Sequence, residues 1–339
     1  SADLARLGDA IGNNTNLRSL AICSAPELAD MAANNGAFFE GIKRNAFICW
    51  LSMTNCDLSG GMGRDILNGF VANNSNLTSI WLTRCAIWNG GIPVIISAVT
   101  SCTNLKSIWL DSCNIDDDIL IKFVSGTRGL LHQLHALDLA GNNFGRAGCE
   151  ALASLLKDPT WNLHNLDLGS NNRIDDKCST ILVYALKVNR KLLRLGLSDS
   201  AITVSGWDAF SQFLCDTSSV NATYLSNHTL KNLEVVNLPT NLSSLLELNR
   251  GTDKEQVATQ KILRHHTRLD MEPFLEWDLG VLPPVVNCFD RARDGAQNEE
   301  FNVDAKKLSA IYQFAKAKPL MFVPPFNKAT SKRKICEIN

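Results

Sequence analysis

Hydrophobic and polar positions recur along most of the chain with a step of 28 or 29 residues. The pattern is L-x-x-I-x-L-x-x-C-x-I, and it runs from Leu77 to Ile87 and again from Leu105 to Ile115. Further copies start at other aliphatic residues, namely Leu17, Ile48, Leu134, Leu163, Leu192 and Leu233. Alternating apolar residues within each copy predict a short strand with one buried face. A fixed period of this length is typical of stacked structural units.

A helix is predicted after each strand. In the segment GRAGCEALASLLKD, residues 145–158, Cys149, Leu152, Leu155 and Leu156 form an apolar stripe that should face the strands. The ninth position of the repeat is predicted to turn into the core, and it is occupied by Cys56, Cys85, Cys113, Asn142, Asn171 and Ser200. The predicted fold is therefore an α/β leucine-rich-repeat solenoid with a curved parallel sheet inside and helices outside. About eight repeats cover residues 1–242.

The repeat length, the Cys or Asn at the ninth position and helices such as GCEALASLLK resemble the ribonuclease-inhibitor-like class of leucine-rich-repeat proteins over residues 1–245. The resemblance implies a sheet that lines a horseshoe, protein–protein recognition and no catalysis. Strand tryptophans that contact a ligand are found in this class, and Trp81 and Trp109 match such positions. The stretches QKILRHH and PFLEWDLGVLPPVVNCFDRA are similar to the ends of repeat proteins in unicellular algae, which implies no known activity.

The repeat pattern stops near Ser243. Residues 253–266 and 304–317 have the periodicity of amphipathic helices, and residues 243–323 are predicted to form a helical C-terminal cap over the last apolar edge of the solenoid. A second partner-binding module is the alternative for this region. Residues 324–339 form a basic tail that is either an import signal or a solvated end.

Composition limits the partners and the compartment. The chain has 339 residues and a formal net charge of -1, which predicts no nucleic-acid partner, and no apolar run approaches a membrane span. Its 11 cysteines, an odd number, favour reduced thiols in an intracellular compartment. The cytoplasm is favoured, with the nucleus and organelles left open. Because the first residues already have a helical pattern, the native chain is expected to begin before Ser1.

Catalysis, metals and cofactors are not predicted. The ninth-position cysteines recur at the repeat spacing, and the chain has no C-x-x-C pair that would suggest zinc. The glycine-rich segment Ser59 to Asp65 lacks the G-K-[ST] ending of a phosphate loop. The histidines near the strands are not paired in sequence with a nucleophilic Ser or Cys.

Tryptophans mark the candidate binding surface. The central exposed strand position is predicted to hold Ala21, Ser52, Trp81, Trp109, Asp138, Asp167, Gly196 and Asn237. Neighbouring strands lie about 4.8 Å apart, so Trp81 and Trp109 should touch, and Trp50 should project from the same face. Such an exposed aromatic patch is typical of interface hot spots.

Carboxylates follow the tryptophans along the same face. Asp138 and Asp167 are predicted to lie side by side, with Asp111 facing the same way, and a basic partner would relieve their repulsion. The alternative is that Asp is a frequent filler in this repeat and that salt screens the charges. Arg84 and Arg194 are expected to place opposite charges at the rim.

These features predict a non-catalytic interaction scaffold that binds another protein on its concave face, through Trp50, Trp81 and Trp109. Two alternatives remain open. One is a structural subunit held in a larger assembly by its outer helices or cap. The other is the sensor half of a signalling protein whose effector domain precedes Ser1.

Overall fold

The computed structural model describes residues 2–23, 28–58, 61–74, 76–87, 91–128 and 131–266. Strands and helices alternate in these ranges. The strands are β1 (Ser19–Cys23), β2 (Trp50–Thr54), β3 (Ser79–Thr83), β4 (Ser107–Trp109), β5 (Ala136–Asp138), β6 (Asn165–Asp167), β7 (Arg194–Gly196) and β8 (Asn232–Glu234). The helices are α1 (Ala2–Asn13), α2 (Leu28–Lys43), α3 (Gly61–Asn73), α4 (Gly91–Ser101), α5 (Asp117–Thr127), α6 (Arg146–Leu156), α7 (Asp176–Leu186), α8 (Val204–Leu214), α9 (Val220–Leu225), α10 (Thr240–Asn249) and α11 (Lys254–His265).

The strands form a single parallel sheet in chain order, from β1 to β8. Equivalent repeat positions lie side by side, so that Leu137 pairs with Leu166 and Asp138 pairs with Asp167. Parallel neighbours require a crossover connection, which the intervening helix supplies. The α/β leucine-rich-repeat solenoid predicted from the repeat is therefore confirmed for these residues.

The core lies between the sheet and the helices. Inward strand residues such as Leu82 and Leu139 are 0% exposed. On α6 the buried residues include Cys149, Leu152 and Leu155, as the helical stripe predicts. Fully burying one such side chain is worth about 1.5–3 kcal/mol. Since a repeat in a solenoid contacts only the repeats on either side of it, these neighbours supply most of its stabilisation.

Side chains at the ninth repeat position bond to peptide groups inside the turn that follows each strand. The Cys113 thiol donates to the Leu82 carbonyl at 2.8 Å, and the Cys85 thiol donates to the Met53 carbonyl at 3.3 Å. Cys56, Cys85 and Cys113 are all buried, as predicted. Burial raises the pKa of the Cys113 thiol to about 12, so this residue stays a neutral core donor.

Asn142 fills the same position with more bonds. Its amide nitrogen donates to the carbonyls of Leu110, Leu139 and Ala140 at 2.9, 2.9 and 3.1 Å. Its side-chain oxygen accepts from the backbone amides of Cys113 and Ile115 at 3.0 and 2.9 Å. The acceptor in the preceding repeat, Leu110, is equivalent to the Leu82 carbonyl that Cys113 uses. Cysteine and asparagine therefore close the same turn.

A second set of asparagines closes the opposite turn, between each helix and the next strand. The side-chain oxygen of Asn189 accepts from the amides of Lys191 and Leu192, both at 2.9 Å, and its amide donates to the Leu156 carbonyl at 2.9 Å. Asn45 and Asn227 make the same kinds of contact in their own repeats. The first inward leucine or isoleucine of these repeats lies three residues after such an asparagine.

A residue shortly after each of the strands β2 to β8 adopts a left-handed backbone. Its φ is positive at equivalent positions of successive repeats, namely Asn55, Arg84, Ser112, Gly141, Ser170, Asp199 and Asn237. A left-handed backbone costs a residue with a Cβ roughly 1–2 kcal/mol. The contacts between neighbouring repeats must offset this cost, because the residues themselves do not favour the turn. The amide of Arg84, for example, donates to the Asp111 carbonyl of the next repeat at 2.9 Å.

The predicted register of the last repeat is wrong. Leu233 pairs with Leu195 in the sheet, so this repeat starts at Leu230 and not at Leu233. Asn237 consequently lies in the left-handed turn, and Glu234 takes the central exposed position that was predicted for Asn237. The cause is an inserted segment, Thr217–Leu225, which contains α9 and lengthens the step between the two repeats.

Among the described residues, the inserted segment and residues 253–266 belong to a second compact unit. Its helix α11 matches the helix predicted for residues 253–266, and the Asp253 carboxylate caps it by accepting from the amides of Glu255 and Gln256 at 3.0 and 3.1 Å. Thr223 Oγ1 and His266 Nε2 form a hydrogen bond of 2.8 Å. Residues 267–339, including the predicted helix at 304–317 and the basic tail, lie outside the described residues. The cap at 243–323 and the domain boundaries stay predictions.

We expect Asn142→Ala to lower the free energy of unfolding by roughly 2–4 kcal/mol, because it leaves buried carbonyls and amides without partners. The measurement is urea unfolding followed by circular dichroism. Asn143→Ala is the matched control, since Asn143 is the exposed neighbour, and it should change stability by less than about 0.5 kcal/mol. Equal losses in the two variants would contradict the role assigned to the Asn142 amide.

Candidate functional site

The helices cover one face of the sheet, and the other face carries the strand side chains that alternate with the buried ones. We call this surface the open face. It has two columns of residues that run across the strands. The first column contains Ser19, Trp50, Ser79, Ser107, Ala136, Asn165, Arg194 and Asn232. The second contains Ala21, Ser52, Trp81, Trp109, Asp138, Asp167, Gly196 and Glu234.

Three tryptophans meet on the open face, and we call them the tryptophan cluster. The rings of Trp81 and Trp109 lie on neighbouring strands with centroids 4.4 Å apart and planes tilted by 41°. Trp50 meets Trp81 edge to face, with centroids 5.3 Å apart. The predicted contact between Trp81 and Trp109 is therefore confirmed, and Trp50 extends the cluster diagonally.

Exposure differs within the cluster. Trp50 is 40% exposed, whereas Trp81 and Trp109 are half-buried. The indole nitrogen of Trp81 is buried without a hydrogen-bond partner among the described residues. A buried unpaired donor costs about 1–3 kcal/mol. Since this nitrogen makes no polar contact that could offset the cost, packing of the rings must stabilise the stack.

Carboxylates lie beside the tryptophan cluster. Asp138 follows Trp109 in the second column and pairs with Asp167 on the next strand. Each carboxylate turns back to its own chain, where Asp138 accepts from the Ala140 amide at 2.8 Å and Asp167 accepts from the Gly169 amide at 2.9 Å. Burial, together with the charges of Asp167, Asp111 and Glu234, raises the pKa of Asp138 to about 6, against the lowering effect of the Ala140 hydrogen bond.

Asp111, Asp138 and Asp167 form a row of carboxylates that we call the acidic strip, and other residues shape it. Asp111 lies just after β4, and its carboxylate accepts from the Thr83 hydroxyl at 2.7 Å. Gly196 leaves space for the Asp167 side chain, because a Cβ at this glycine would come within 2.6 Å of the Asp167 Cγ. Glu234 adds a carboxylate that sequence reasoning missed. The asparagine three residues before Leu230 is the signal that would have revealed its register.

Neither of the two predicted rim arginines forms an ion pair with the carboxylates of the open face. Arg84 lies in the left-handed turn after β3, and Arg194 begins β7 between Asn165 and Asn232. Both are exposed, and neither forms an ion pair in the part of the chain that the structure describes. The strip therefore keeps its negative charge.

A histidine pair that the sequence did not single out lies where two strands begin. The rings of His135 and His164 are stacked with centroids 5.2 Å apart and planes within 10°. His135 Nδ1 lies 2.8 Å from the Gln133 carbonyl. Burial, followed by the charges of His135 and Lys191, lowers the pKa of His164. The signal in the sequence is that both histidines occupy the second position of their repeats.

Two further features were sought in the described ranges. No group of three or more His, Cys, Asp or Glu side chains there is arranged to hold a metal ion. No helix there is long and apolar enough to cross a membrane.

Comparison with known proteins does not assign the chain to a family. No family model matches the chain, and no curated protein matches it. Among solved structures it is similar to "Leiomodin-1 Actin-Binding Site 2 (ABS2)", with 17% sequence identity over 47% of this chain and 87% of that chain and a TM-score of 0.37. A likeness of this size carries no conclusion about function, so the fold assignment is based on the repeat and the strand register.

We expect the contribution of Asp138 to the free energy of unfolding to fall as the pH rises from about 4 to about 6. The folded chain holds the Asp138 proton more tightly than the unfolded chain, so this contribution is present below the ordinary pKa of 3.8 and is lost above about 6. Asp138→Asn should reduce that fall and raise stability at neutral pH, because the amide oxygen can still accept from Ala140. Urea unfolding at both ends of the pH range checks this. Asp208→Asn, on an exposed part of α8, controls for the loss of one surface charge.

Proposed function

We propose that this protein is a non-catalytic scaffold that binds another protein on the open face of its sheet. The tryptophan cluster is the anchor of the interface, and the acidic strip of Asp111, Asp138 and Asp167 selects a partner with a basic patch. The repeat length and the Cys or Asn turns support a place in the ribonuclease-inhibitor-like class, as the sequence resemblance implies.

The tryptophan cluster is the observation that carries this proposal. Three large rings stack on a sheet face whose other side chains are mostly Ser, Asn and Asp. The rings of Trp81 and Trp109 already contact each other, so a partner that covers them pays little side-chain entropy for additional buried apolar area. Trp is enriched among residues that dominate binding energy.

The acidic strip supports the choice of partner. Asp138 and Asp167 face each other on adjacent strands without an ion-pair partner among the described residues. Burial, and then repulsion from Asp167, already raise the pKa of Asp138. A cation from a bound protein would be attracted to these carboxylates and would favour their ionised form.

The experiment is an affinity capture from the cells that make this protein, followed by a titration of the purified partner. Trp81→Ala/Trp109→Ala should weaken binding by at least about 30-fold, which is the loss of a hot spot worth about 2 kcal/mol. Trp50→Ala changes the most exposed ring of the cluster, so it tests the same surface with less effect on folding. Thermal unfolding of each variant shows whether it remains folded.

A second candidate is a structural subunit of a larger assembly, held through the outer helices. Tyr184 and Val188, near the end of α7, are each 65% exposed and face away from the core. Tyr184→Ala/Val188→Ala is therefore the matched control for the tryptophan variant. A partner that is lost with this variant and retained with Trp81→Ala/Trp109→Ala would reject binding on the open face and support the assembly instead.

A further inference from the structure

Cations collect along the edge of the solenoid where helices end and strands begin. Arg128, Lys157 and Lys187 directly follow the helices α5, α6 and α7. The segments between these helices and the next strands contain a single acidic residue, Asp158. We call this surface the basic edge, and its members are Lys106, Arg128, Lys157, Lys187, Lys191 and Lys231.

Most of this positive charge is available to solvent. Lys106, Arg128 and Lys187 are exposed, and none of them forms an ion pair within the described ranges. Asp158 lies among them, where its carboxylate accepts from the Thr160 amide and hydroxyl at 2.9 and 2.6 Å and attracts Arg128 and Lys191. One carboxylate among six cations leaves this edge with an excess of positive charge.

Two members of the basic edge have structural roles and shape its surface. The Lys191 ammonium donates to the Pro159 carbonyl at 2.9 Å and to the Asn162 side chain at 2.6 Å, and so ties two repeats together. The Lys157 ammonium lies 4.4 Å from the centre of the Tyr184 ring. Binding must therefore rely mainly on the remaining members.

The opposite edge, where strands end and helices begin, carries carboxylates that cap helices or form an ion pair. Asp116 caps α5 through the Ile119 amide, and Asp175 caps α7 through the amides of Lys177 and Cys178. Asp117 accepts from two backbone amides and pairs with Arg173 at 3.0 Å. The carboxylates at this edge are thus engaged in helix caps or an ion pair, whereas Lys106, Arg128 and Lys187 at the basic edge face solvent without an ion pair among the described residues.

Helix dipoles explain only part of the basic edge. A cation at a helix C-terminus is stabilised by about 0.3–1 kcal/mol, which accounts for Arg128, Lys157 and Lys187. Lys106 and Lys231 directly precede strands β4 and β8, away from any helix end. Their presence extends the positive charge across successive repeats.

We infer that the basic edge binds an acidic, extended segment of a partner protein. A strand of three residues spans about 10 Å, and the carboxylates of Asp138 and Asp167 lie at the far ends of such strands. A nucleic-acid duplex, whose major groove alone is about 12 Å wide, would extend over these carboxylates and be repelled. An extended peptide, about one strand spacing of 4.8 Å in width, fits along the edge without reaching them. This surface is separate from the tryptophan cluster and does not depend on it.

The test uses a fluorescent poly-glutamate peptide, titrated with the full chain at low ionic strength and followed by anisotropy. Lys106→Glu/Lys187→Glu should weaken binding by at least about tenfold, and added salt should weaken binding to the wild type. Lys122→Glu/Lys177→Glu makes the same change in net charge at exposed positions outside the basic edge, and it should change the affinity by less than about twofold. Trp81→Ala/Trp109→Ala should bind the peptide as the wild type does.

Three results would overturn the inference. One is that the peptide does not bind. Another is an equal loss of affinity in the two lysine variants, which would reflect net charge alone. The third is tighter binding of a single-stranded oligonucleotide than of the peptide, abolished by Lys106→Glu/Lys187→Glu, which would make the edge a nucleic-acid site.

Discussion

Peptide groups buried in the two turns of each repeat need hydrogen-bond partners, and small polar side chains inside the turns supply them. Asn142 does this after a strand, with bonds to three carbonyls and two amides, and Asn189 does it before the next strand. Cys85 and Cys113 bond to fewer groups at the same place as Asn142. Without these bonds the coil could not reverse direction at a constant step, because an unpaired buried peptide group costs more than a single hydrogen bond returns.

A constant step gives the sheet its register, and the register assembles the open face. Residues that are a repeat apart in sequence become neighbours about 4.8 Å apart, so Trp81 stacks on Trp109 and Asp138 meets Asp167. The same geometry that creates an aromatic anchor also places like charges side by side. Partial burial, and then that repulsion, raise the pKa of Asp138.

The repeat also separates charge between its two edges. Every helix begins at one edge and ends at the other, so carboxylates at the first edge can cap helices while cations collect at the second. Asp116 and Asp175 cap helices at the first edge, and Lys106 and Lys187 lie exposed at the second. A chain with almost no net charge can therefore present an acidic strip on its open face and a basic edge beside it, two surfaces suited to partners of opposite charge.

The sequence by itself determined the repeat, the buried strand positions, the inward cysteines and the place of the tryptophans, because a side-chain period of two within each strand leaves no other face for the leucines. It did not determine the start of the last repeat at Leu230, where the inserted Thr217–Leu225 interrupts the step and hides Glu234. The stacking of His135 on His164, the pKa of Asp138 and the left-handed turn at Arg84 were decided only by the tertiary structure. These properties depend on distances between groups far apart in the chain, and a pattern along one dimension does not contain such distances.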